Sequence, residues 1–345
     1  MTKPSHIELP PGVQLVYLAE GGANVVYRFA SASFGLHGAV PAAPPDTDNH
    51  LGIPPALRGK LLRLRKETSS AIPYQDVARN FDRSIRPLFH PDELVDQALT
   101  CLSKGLVQRC NEQLRAAELT GTRPRSRQGV YLSVAEPFGL LVTDMTALGD
   151  PGSVVAELKP KWLLQSPSAP PNARRCRTCA LRDMKNHKLR ALAAPEEHSF
   201  CPLDLMSDRF DTVLRATGLV KGCMDRGRLA RVLYRNPALQ TLQLHQKAFG
   251  DVGLYGPSPQ SRDKSMAMTL RDCTMFIRIP RDEGSPVEVR FGDLDLKTGA
   301  GGKAQYWLDL ETRLINEGWY SGANLDQQPV ICAVQDSRRH SHPLI

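Results

Sequence analysis

The segment EGGANVVYRF, residues 20–29, decides how the rest of the sequence is interpreted. It places a glycine pair, Gly21 and Gly22, between two apolar runs of strand character, GVQLVYL and NVVYRF. A glycine costs about 0.5–1 kcal/mol of backbone entropy relative to alanine, so a pair marks either a tight hairpin or a backbone that comes close to a ligand. A plain hairpin turn is the commoner use. The alternative is a loop whose backbone N–H groups face phosphates.

The amino-acid composition is that of a folded protein with a large core. The chain has 345 residues, 41% of them hydrophobic, which suits one large domain or two lobes. The mean hydropathy is −0.32, and no apolar run approaches the roughly 20 residues that span a bilayer. The first residues, MTKPSHIELPP, lack the apolar core of a signal peptide. These features predict an intracellular protein with no membrane partner.

The charge of the chain indicates the kind of partner, and its cysteine content indicates the state of its thiols. The 44 Lys and Arg residues exceed the 36 Asp and Glu residues, giving a net charge of +8 and a pI near 9.1. This excess indicates a polyanionic partner, and nucleic acid, acidic lipid and a small polyphosphate would each fit it. The eight cysteines are too few and too scattered for a disulfide scaffold, so we expect reduced thiols, with any close pair a candidate metal site.

The first part of the sequence predicts three strands followed by a helix. Strands are expected at about 13–18 and 24–31, and residues 32–58, rich in Pro, Ala and Gly, are interpreted as a flexible insertion. The segment RGKLLRLRK, residues 58–66, alternates leucine with arginine, which predicts a third strand. In residues 91–114 a proline is followed by acids and by apolar residues four apart, which predicts a helix.

The second part predicts a mixture of helices and strands. Strand character is found at 130–145, 153–162, 265–280 and 287–297, helices follow Arg174, and an amphipathic helix covers 303–319. A Pro- and Ser-rich break lies at 165–173. We therefore predict an α+β fold of two lobes, a small β-rich N-terminal lobe of residues 1–148 and a larger mixed C-terminal lobe of residues 149–345.

Fixed cations occur at two strand positions. Arg63 stands in the middle of the third strand, where it either faces solvent or pairs with nucleotide phosphates, as a strand cation does in kinases. Lys159 and Lys161, in ELKPK, alternate along a predicted strand and so share one face. Two ammonium groups on one face repel each other unless an anion lies between them. The simpler alternative is an exposed basic edge that blocks strand pairing.

Acidic residues lie at the ends of two later strands, Asp272 in RDC, and Asp293 and Asp295 in DLDLK. Their apolar neighbours predict burial, and an unpaired buried carboxylate costs several kcal/mol, so each needs a partner. Mg²⁺ is the natural partner because it takes one or two carboxylates and leaves its other positions to phosphate oxygens and water. The alternative is a turn or capping motif.

Taken in order along the chain, these segments resemble the inositol-pentakisphosphate 2-kinase family. EGGANVVYRF is similar to the family's glycine-rich loop, ELKPKW to its E-I-K-P-K strand, CRTC with CPLDL to its mid-chain segments, LRDCTMFI to its K-D-C-S segment, and DLDLK matches its D-L-D-hydrophobic-K. Five motifs in the family's order decide in favour of a phosphate loop at Gly21 and Gly22. The resemblance implies a two-lobed kinase-like fold and the ATP- and Mg²⁺-dependent phosphorylation of the 2-hydroxyl of inositol 1,3,4,5,6-pentakisphosphate to the hexakisphosphate, phytate.

The resemblance also implies roles for individual residues. Asp272 would be the catalytic carboxylate, assisted by Arg63, and Asp293 would hold Mg²⁺. Five substrate phosphates need a ring of cations, each charge-assisted hydrogen bond contributing about 1.5–3 kcal/mol. The implied substrate-binding residues are Arg127, Lys159, Lys161, Lys185, Lys297, Lys303 and Tyr306. The implied ATP-binding residues are Glu20, Gly21, Gly22, Ala23, Asn24, Val26 and Arg63, with Asp144 and Met145 beside adenine.

The sequence departs from the family pattern in the second lobe. RGRLARVLYRNP, residues 226–237, stands where relatives have paired asparagines that assist substrate binding. A glycine-rich segment follows Lys297 where relatives have a basic residue. Lys303 is therefore expected to substitute for that residue, and Tyr306 is assigned to within one position.

The cysteines suggest a metal site of their own. Cys176 and Cys179 are followed by His187, His198 and Cys201, and C-x2-C-x7-H-x13-C could close a tetrahedral Zn²⁺ site through Cys176, Cys179, His187 and Cys201. The alternative is that positions 176 and 179 share a helix face and belong to the core. The remaining cysteines, Cys101, Cys110, Cys223, Cys273 and Cys332, are interpreted as ordinary buried thiols, and His340 and His342 as a disordered tail.

Two other functions compete with the kinase. The first is a basic zinc protein that binds RNA or DNA through Lys, Arg and CRTC, which would explain the pI but gives no role to Asp272 and Asp293. The second is an inactive scaffold that binds inositol phosphates, against which the presence of both aspartates argues. Nucleic acid is therefore not the expected partner. The expected partners are ATP and inositol pentakisphosphate, for a monomer in the nucleus or cytoplasm.

Overall fold

The chain folds into two compact units with different secondary structure. The computed structural model describes residues 7–10, 13–30, 53–68, 72–150, 152–220, 222, 225–254, 256–258, 261–299, 302–322 and 332–334. The first unit comprises Met1–Arg83 and Val95–Met145, and the second comprises Ser84–Leu94 and Thr146–Ile345. The first is rich in β-structure and the second contains most of the helices, which confirms the predicted α+β class. No helix in the described ranges has the length and apolarity needed to cross a bilayer.

A six-stranded sheet forms the first unit. Its strands are β1 (Ile7–Glu8), β2 (Gln14–Glu20), β3 (Asn24–Ala30), β4 (Lys60–Arg65), β5 (Gln97–Cys101) and β6 (Phe138–Thr143), in the order β1-β5-β6-β4-β3-β2. All pairs are antiparallel except β1 with β5. Two helices, α1 (Tyr74–Asn80) and α2 (Leu106–Leu119), complete the unit.

Alternation along β3 and β4 builds the core of the first unit. Val25, Tyr27 and Phe29 are buried on one side of β3, and period-two alternation is what puts such residues on one face of a sheet. They pack with Leu62 and Leu64 of β4 in one apolar cluster. The same cluster includes buried residues of α2, so the helix covers this face of the sheet.

The predicted helix over residues 91–114 is wrong in its first half. A 3-10 turn covers Pro91–Glu93, Gln97–Cys101 is strand β5, and the α-helix starts only at Leu106. Strand β5 lies between β1 and β6, so its backbone groups find partners on both sides. This pairing between distant segments outweighs the local four-residue spacing, which depends on context. Gly105, with φ of 79°, turns the chain into the helix.

The second unit combines a three-stranded antiparallel sheet with six helices in its described residues. The strands are β7 (Ser153–Leu158), β8 (Thr274–Pro280) and β9 (Glu288–Gly292), in that order. The helices are α3 (Arg177–Ala191), α4 (Phe210–Thr217), α5 (Arg226–Leu233), α6 (Pro237–Ala248), α7 (Arg262–Leu270) and α8 (Lys303–Asn316).

Two strand predictions in the second unit need correction. Residues 265–270 were expected to begin a strand but belong to α7, whose N-terminus is capped by the Ser261 side chain accepting from the Lys264 N–H. The strand begins at Thr274. Lys159 and Lys161 were expected to share a strand face, but β7 ends at Leu158 and both lysines follow it.

The predicted insertion over residues 32–58 is shorter than expected at its C-terminal end. Residues 32–52 lie outside the described part of the chain. Ile53 and Leu57, however, pack against the core of the first unit, and Leu57 is buried. Apolar side chains near the end of a proline-rich segment can therefore be core residues, which composition alone does not reveal.

Gly139 provides a test of packing in the first unit. An added Cβ there would lie 2.9 Å from Leu102 Cδ2 and 2.9 Å from Leu62 Cδ1. We expect Gly139→Ala to lower the free energy of unfolding by about 1–3 kcal/mol through overpacking, measured by urea denaturation. Gly227→Ala is the control, because its Cβ would meet nothing closer than 3.6 Å. Equal stability of the two variants would contradict this packing.

Candidate active site

One end of the β7–β9 sheet brings together a group of charged residues. In the antiparallel register Leu158 pairs with Met275, and Thr274 pairs with Gly292. The end of β7, the start of β8 and the end of β9 therefore lie at the same edge. Lys159 follows β7, Asp272 precedes β8, and Asp293 follows β9, so the sheet brings together residues that are 134 positions apart at most.

Three lysines and two aspartates form a connected cluster at this edge, which we call the charge cluster: Lys159, Lys161, Asp272, Asp293 and Lys297. Lys161 Nζ donates to Asp272 Oδ1 at 2.7 Å. Lys159 Nζ lies 2.9 Å from Asp293 Oδ2 and 3.7 Å from Asp272 Oδ1. Lys297 Nζ lies 3.2 Å from Asp293 Oδ1 and 3.7 Å from Asp272 Oδ2. Lys159 and Lys297 thus each join the two carboxylates.

The aspartates are more exposed than the sequence predicts. The side chains of Asp272 and Asp293 are 42% and 44% exposed, so the expected burial is wrong. Apolar neighbours in DLDLK such as Leu294 turn into the core while Asp293 turns out. At this exposure the ion pairs add little to stability. These ion pairs matter for the site because they arrange positive and negative charges close together.

The lysines control the ionisation of Asp272. Burial would raise its pKa, but the hydrogen bond and charge of Lys161, together with the charges of Lys159 and Lys297, lower it below its usual range. For Lys159, burial lowers the pKa, whereas the hydrogen bond and charge of Asp293 raise it by more. At neutral pH the carboxylate is therefore ionised and the ammonium group is protonated.

The backbone of the charge cluster is held in a sparsely populated conformation. Lys161 and Asp293 have φ values of 56° and 55°, in the left-handed region that non-glycine residues seldom adopt and that recurs at functional sites. Buried polar side chains stabilise it. Gln246 Nε2 donates to the Lys161 carbonyl at 2.8 Å, and Thr269 Oγ1 accepts from the Lys297 N–H at 2.8 Å. No motif in the sequence indicates Gln246 or Thr269. The feature that could have indicated them is that each is a buried polar residue inside a helix.

The Gly21–Gly22 turn of the first unit is exposed and open. It joins β2 to β3, with the Gly21 N–H donating to the Asn24 carbonyl at 2.9 Å. No atom lies within 4 Å of a Cβ added at Gly21, and the nearest to one at Gly22 is Arg127 Nη1 at 3.9 Å. Gly21, Gly22 and Ala23 are all exposed. The turn is both a hairpin and a backbone surface that a ligand can approach.

The other predicted ATP-binding residues of the first unit surround this hairpin or follow β6. Val26 pairs with Arg63 in the sheet register, and the Arg63 guanidinium carbon lies 5.5 Å from the centre of the Tyr74 ring. Asp144 and Met145 follow β6 and are buried. The Asp144 N–H donates to the Gly59 carbonyl at 2.9 Å.

Glu20 differs from its predicted role as a ligand-contacting residue. Its carboxylate is 1% exposed and accepts from Arg123 Nε and Nη2, each at 2.9 Å, and from Lys66. Burial would raise its pKa, but the hydrogen bonds from Arg123 and Lys66 lower it to about 2. A lowered folded-state pKa means that this contribution to stability is present above the ordinary value of 4.5 and is lost as the pH falls towards 2.

Three predicted substrate-binding residues lie apart from the charge cluster. Lys185, on α3, is paired with Glu197 at 3.4 Å. Lys303 and Tyr306 are in the first turn of α8, and the Tyr306 side chain is 61% exposed. Within the described residues, no hydrogen bond or ion pair joins these three to the cluster. Their assignment stays a prediction.

The cysteine cluster has a different fourth member from the one predicted. Cys176, Cys179, Cys201 and Cys332 are buried, and their Sγ atoms all lie within 4.8 Å of one another. Cys332 therefore is not an ordinary isolated thiol. His187 packs against Trp319 with ring centres 5.5 Å apart. Sequence spacing missed Cys332 because it is 131 residues from Cys201. Cys223, His340 and His342 lie outside the described residues.

The geometry of the four thiols fits a tetrahedral metal site. A tetrahedron of Zn–S bonds of about 2.3 Å separates sulfur atoms by about 3.8 Å. Cys176 Sγ lies 3.8 Å from Cys201 Sγ, and Cys201 Sγ lies 3.9 Å from Cys332 Sγ. The Cys176 N–H donates to Cys332 Sγ at 3.2 Å, and Arg182 Nη2 donates to Cys179 Sγ at 3.2 Å. Such donors stabilise thiolates, the form that binds a metal.

Two carboxylates and three ammonium groups at a sheet edge, with an exposed glycine turn elsewhere in the chain, are typical of enzymes that transfer phosphate groups. Comparison with known proteins supports this class of enzyme. The sequence profile described as inositol-pentakisphosphate 2-kinase matches residues 17–225 and 221–313. The chain belongs to the inositol-pentakisphosphate 2-kinase family and is a transferase, as the order of its motifs predicts.

Two proteins with the name of this family are similar to the chain. A protein named inositol-pentakisphosphate 2-kinase from Yarrowia lipolytica is 31% identical over 210 residues, which cover 55% of this chain and 67% of the relative. A protein of the same name from Debaryomyces hansenii is 23% identical over 393 residues, which cover 92% of this chain and 94% of the relative.

The hydrogen bond from Lys161 to Asp272 generates a prediction about ionisation. In Lys161→Met we expect the pKa of Asp272 to rise towards the ordinary value of about 3.9, because the largest favourable partner of its ionised form is gone. Carboxyl-carbon NMR titration of aspartate-labelled protein measures this, with the Asp272 signal assigned from Asp272→Asn. Lys185→Met should leave the signal unchanged. An Asp272 titration that is identical with and without Lys161 would contradict the geometry.

Proposed function

We propose that the protein phosphorylates the 2-hydroxyl of inositol 1,3,4,5,6-pentakisphosphate with ATP, giving inositol hexakisphosphate. Family membership supports the reaction class. The observation that carries the proposal is the charge cluster, in which an ionised Asp272 lies beside Asp293 within a collar of three lysines.

Asp272 would orient the attacking hydroxyl and accept its proton. An ionised carboxylate is an acceptor, and the lowered pKa of Asp272 keeps it in this form at neutral pH. Its exposure of 42% leaves an oxygen within reach of a substrate. Transfer of a phosphoryl group needs little covalent help, so positioning of this kind supplies much of the catalysis.

The lysines would bind the phosphates of the substrate. Lys159, Lys161 and Lys297 carry three positive charges against the two negative charges of Asp272 and Asp293, so the cluster has an excess of one positive charge. Ammonium groups are phosphate ligands, and hydrogen bonds between ionised groups are the strong ones. In the protein alone, the carboxylates would take the positions of the substrate anions.

Asp293 would hold Mg²⁺. A partly exposed carboxylate fits this ion, which takes one or two protein carboxylates when phosphates supply other ligands. Both oxygens of Asp293 contact lysines, Oδ1 at 3.2 Å from Lys297 and Oδ2 at 2.9 Å from Lys159, so one contact has to be released. Bound Mg²⁺ supplies neutralisation of charge on the nucleotide phosphates.

The first unit would bind the nucleotide. Exposed backbone at Gly21, Gly22 and Ala23 can approach the phosphates without side-chain obstruction. Arg63, on β4, would pair with the phosphates. Asp144 and Met145, after β6, would lie beside adenine. Residence in the nucleus or cytoplasm and a monomeric state are further parts of the proposal that rest on the resemblance.

Replacement of Asp272 tests the assigned chemistry. In Asp272→Asn we expect the rate of phosphate transfer from ATP to inositol pentakisphosphate to fall about 10²- to 10⁴-fold. Binding of the substrate should be unchanged or tighter, because a negative charge next to the lysines is lost. Ion chromatography of the product and isothermal titration calorimetry measure these two quantities.

Asp76→Asn is the matched control for this test. The Asp76 side chain is 45% exposed and pairs with Arg79 at 2.8 Å, so it resembles Asp272 in exposure and pairing but lies outside the charge cluster. A normal rate in Asp272→Asn would refute the role of this carboxylate. Tight substrate binding without product in the unaltered protein would favour the inactive scaffold, and tight binding of nucleic acid alone would favour the zinc protein.

We also propose that Cys176, Cys179, Cys201 and Cys332 bind one structural Zn²⁺. Four thiolates with sulfur separations of 3.8 and 3.9 Å match a closed site, which leaves no position for catalysis. Such an ion would link the N-terminal end of α3 to the segment that contains Cys332.

Metal analysis tests the zinc proposal. Inductively coupled plasma mass spectrometry should find about one Zn²⁺ per chain in the unaltered protein, and Cys332→Ser should lower both the zinc content and the melting temperature. Cys101→Ser is the control, since Cys101 lies in β5, outside the cysteine cluster. Zinc-free protein whose melting temperature is insensitive to Cys332→Ser would contradict the assignment.

A further inference from the structure

Four charged side chains form a largely buried network in the first unit. The Glu20, Lys66 and Arg123 side chains are at most 1% exposed, and Glu118 is 19% exposed. Glu20 accepts from Lys66 and Arg123, and Arg123 also pairs with Glu118. Two positive and two negative charges therefore cancel. Apolar residues of similar volume are often at least as stabilising as a buried network of this kind, so its presence is weak evidence for a role in stability alone.

Lys66 connects this network to the Gly21–Gly22 turn. Its Nζ donates to the Gly21 carbonyl at 2.9 Å, and its backbone N–H donates to the Ala23 carbonyl at 2.8 Å. Glu20, which holds the Lys66 ammonium, is the residue that directly precedes the turn. One lysine thus holds two carbonyl groups of the same turn.

The bond to the Gly21 carbonyl determines which way the Gly22 N–H points. In a planar trans peptide the carbonyl and the following N–H point in opposite directions. Because the Gly21 carbonyl faces Lys66, the Gly22 N–H faces away from the buried network. The N–H groups of Gly22 and Ala23 have no hydrogen-bond partner among the described residues, and both residues are exposed. Exposed backbone N–H groups of this kind can bind phosphate.

A second anchor holds the other end of the turn. Tyr74 OH donates to Asn24 Oδ1 at 2.9 Å, the Tyr74 N–H donates to Glu136 Oε2 at 3.1 Å, and Glu136 pairs with Arg65 at 3.0 Å. The turn is therefore fixed at Asn24 independently of Lys66. Loss of Lys66 would free the Gly21 peptide and leave the hairpin in place.

We propose that Lys66 is a positioning residue that orients the Gly21–Gly22 peptide towards the phosphates of the nucleotide, with Glu20 holding its ammonium group and Arg123 holding Glu20. This inference rests on the proposed function, because it assumes that the turn binds ATP. Lys66 acts through the backbone and is itself too deeply buried to touch the nucleotide.

The test compares nucleotide and substrate binding in Lys66→Met and Glu118→Gln. Lys66→Met removes the bond to the Gly21 carbonyl and leaves Glu20 paired with Arg123. Glu118→Gln weakens the same network at a point that does not touch the turn. We expect Lys66→Met to raise the Kd for ATP and the KM for ATP about 10- to 100-fold, with no change in the Kd for inositol pentakisphosphate. Glu118→Gln should leave all three constants unchanged.

The outcomes separate this inference from the proposed function. If the unaltered protein binds ATP and Lys66→Met weakens that binding no more than Glu118→Gln does, the positioning role is refuted and the function stands. If the unaltered protein binds no ATP, the function and the inference fall together. A fall in kcat with an unchanged KM for ATP would also refute the positioning role.

Amide exchange in the unaltered protein covers the case in which Lys66→Met does not fold. Without nucleotide, the Gly22 and Ala23 amides should exchange rapidly and the Gly21 and Lys66 amides slowly. Saturating ATP should slow the Gly22 amide at least about tenfold, whereas adenosine, which lacks phosphates, should not. Slow exchange at Gly22 without ligand, or equal effects of ATP and adenosine, would overturn the inference.

Discussion

The charge cluster depends on anions that balance the positive charges which the fold brings together. Three ammonium groups meet at one end of a three-stranded sheet because strand ends in an antiparallel register share an edge. They would repel one another without anions between them. Asp272 and Asp293 provide those anions in the protein alone. Under the proposed function, substrate phosphates would replace these internal partners, and partial exposure favours that exchange because the ion pairs are screened and weak.

The first unit uses ion pairs in the opposite way. There the charges are buried and balanced one to one, so they are not available to a ligand. The ion pairs of the charge cluster are exposed enough to be displaced. The buried network instead keeps a short stretch of backbone in one orientation. The contrast follows from the dielectric environment, since buried charges are screened much less than exposed ones.

The fold class and the residues of the motifs can be predicted well from the sequence, because both depend on patterns among residues that are close together in the chain. EGGAN is a turn between strands, and Asp272, Asp293 and Lys297 do meet, as the order of motifs implies. Contacts between distant segments that carry no motif could not be predicted. The spacing in residues 91–114 predicts helix where β5 lies, because the partners of β5 are elsewhere in the chain, and no spacing rule links Cys332 to Cys201 across 131 residues. Gln246, Thr269, Lys66 and Arg123 carry no motif and become visible only through their bonds to backbone and carboxylate groups.

The position of Cys332 has a consequence for biosynthesis. Ribosomes add about 5–20 residues per second, so roughly 7–26 s separate the synthesis of Cys201 from that of Cys332. During that interval Cys176, Cys179 and Cys201 are present on the nascent chain without their fourth neighbour. The cluster of four buried cysteines can therefore form only after translation has passed Cys332.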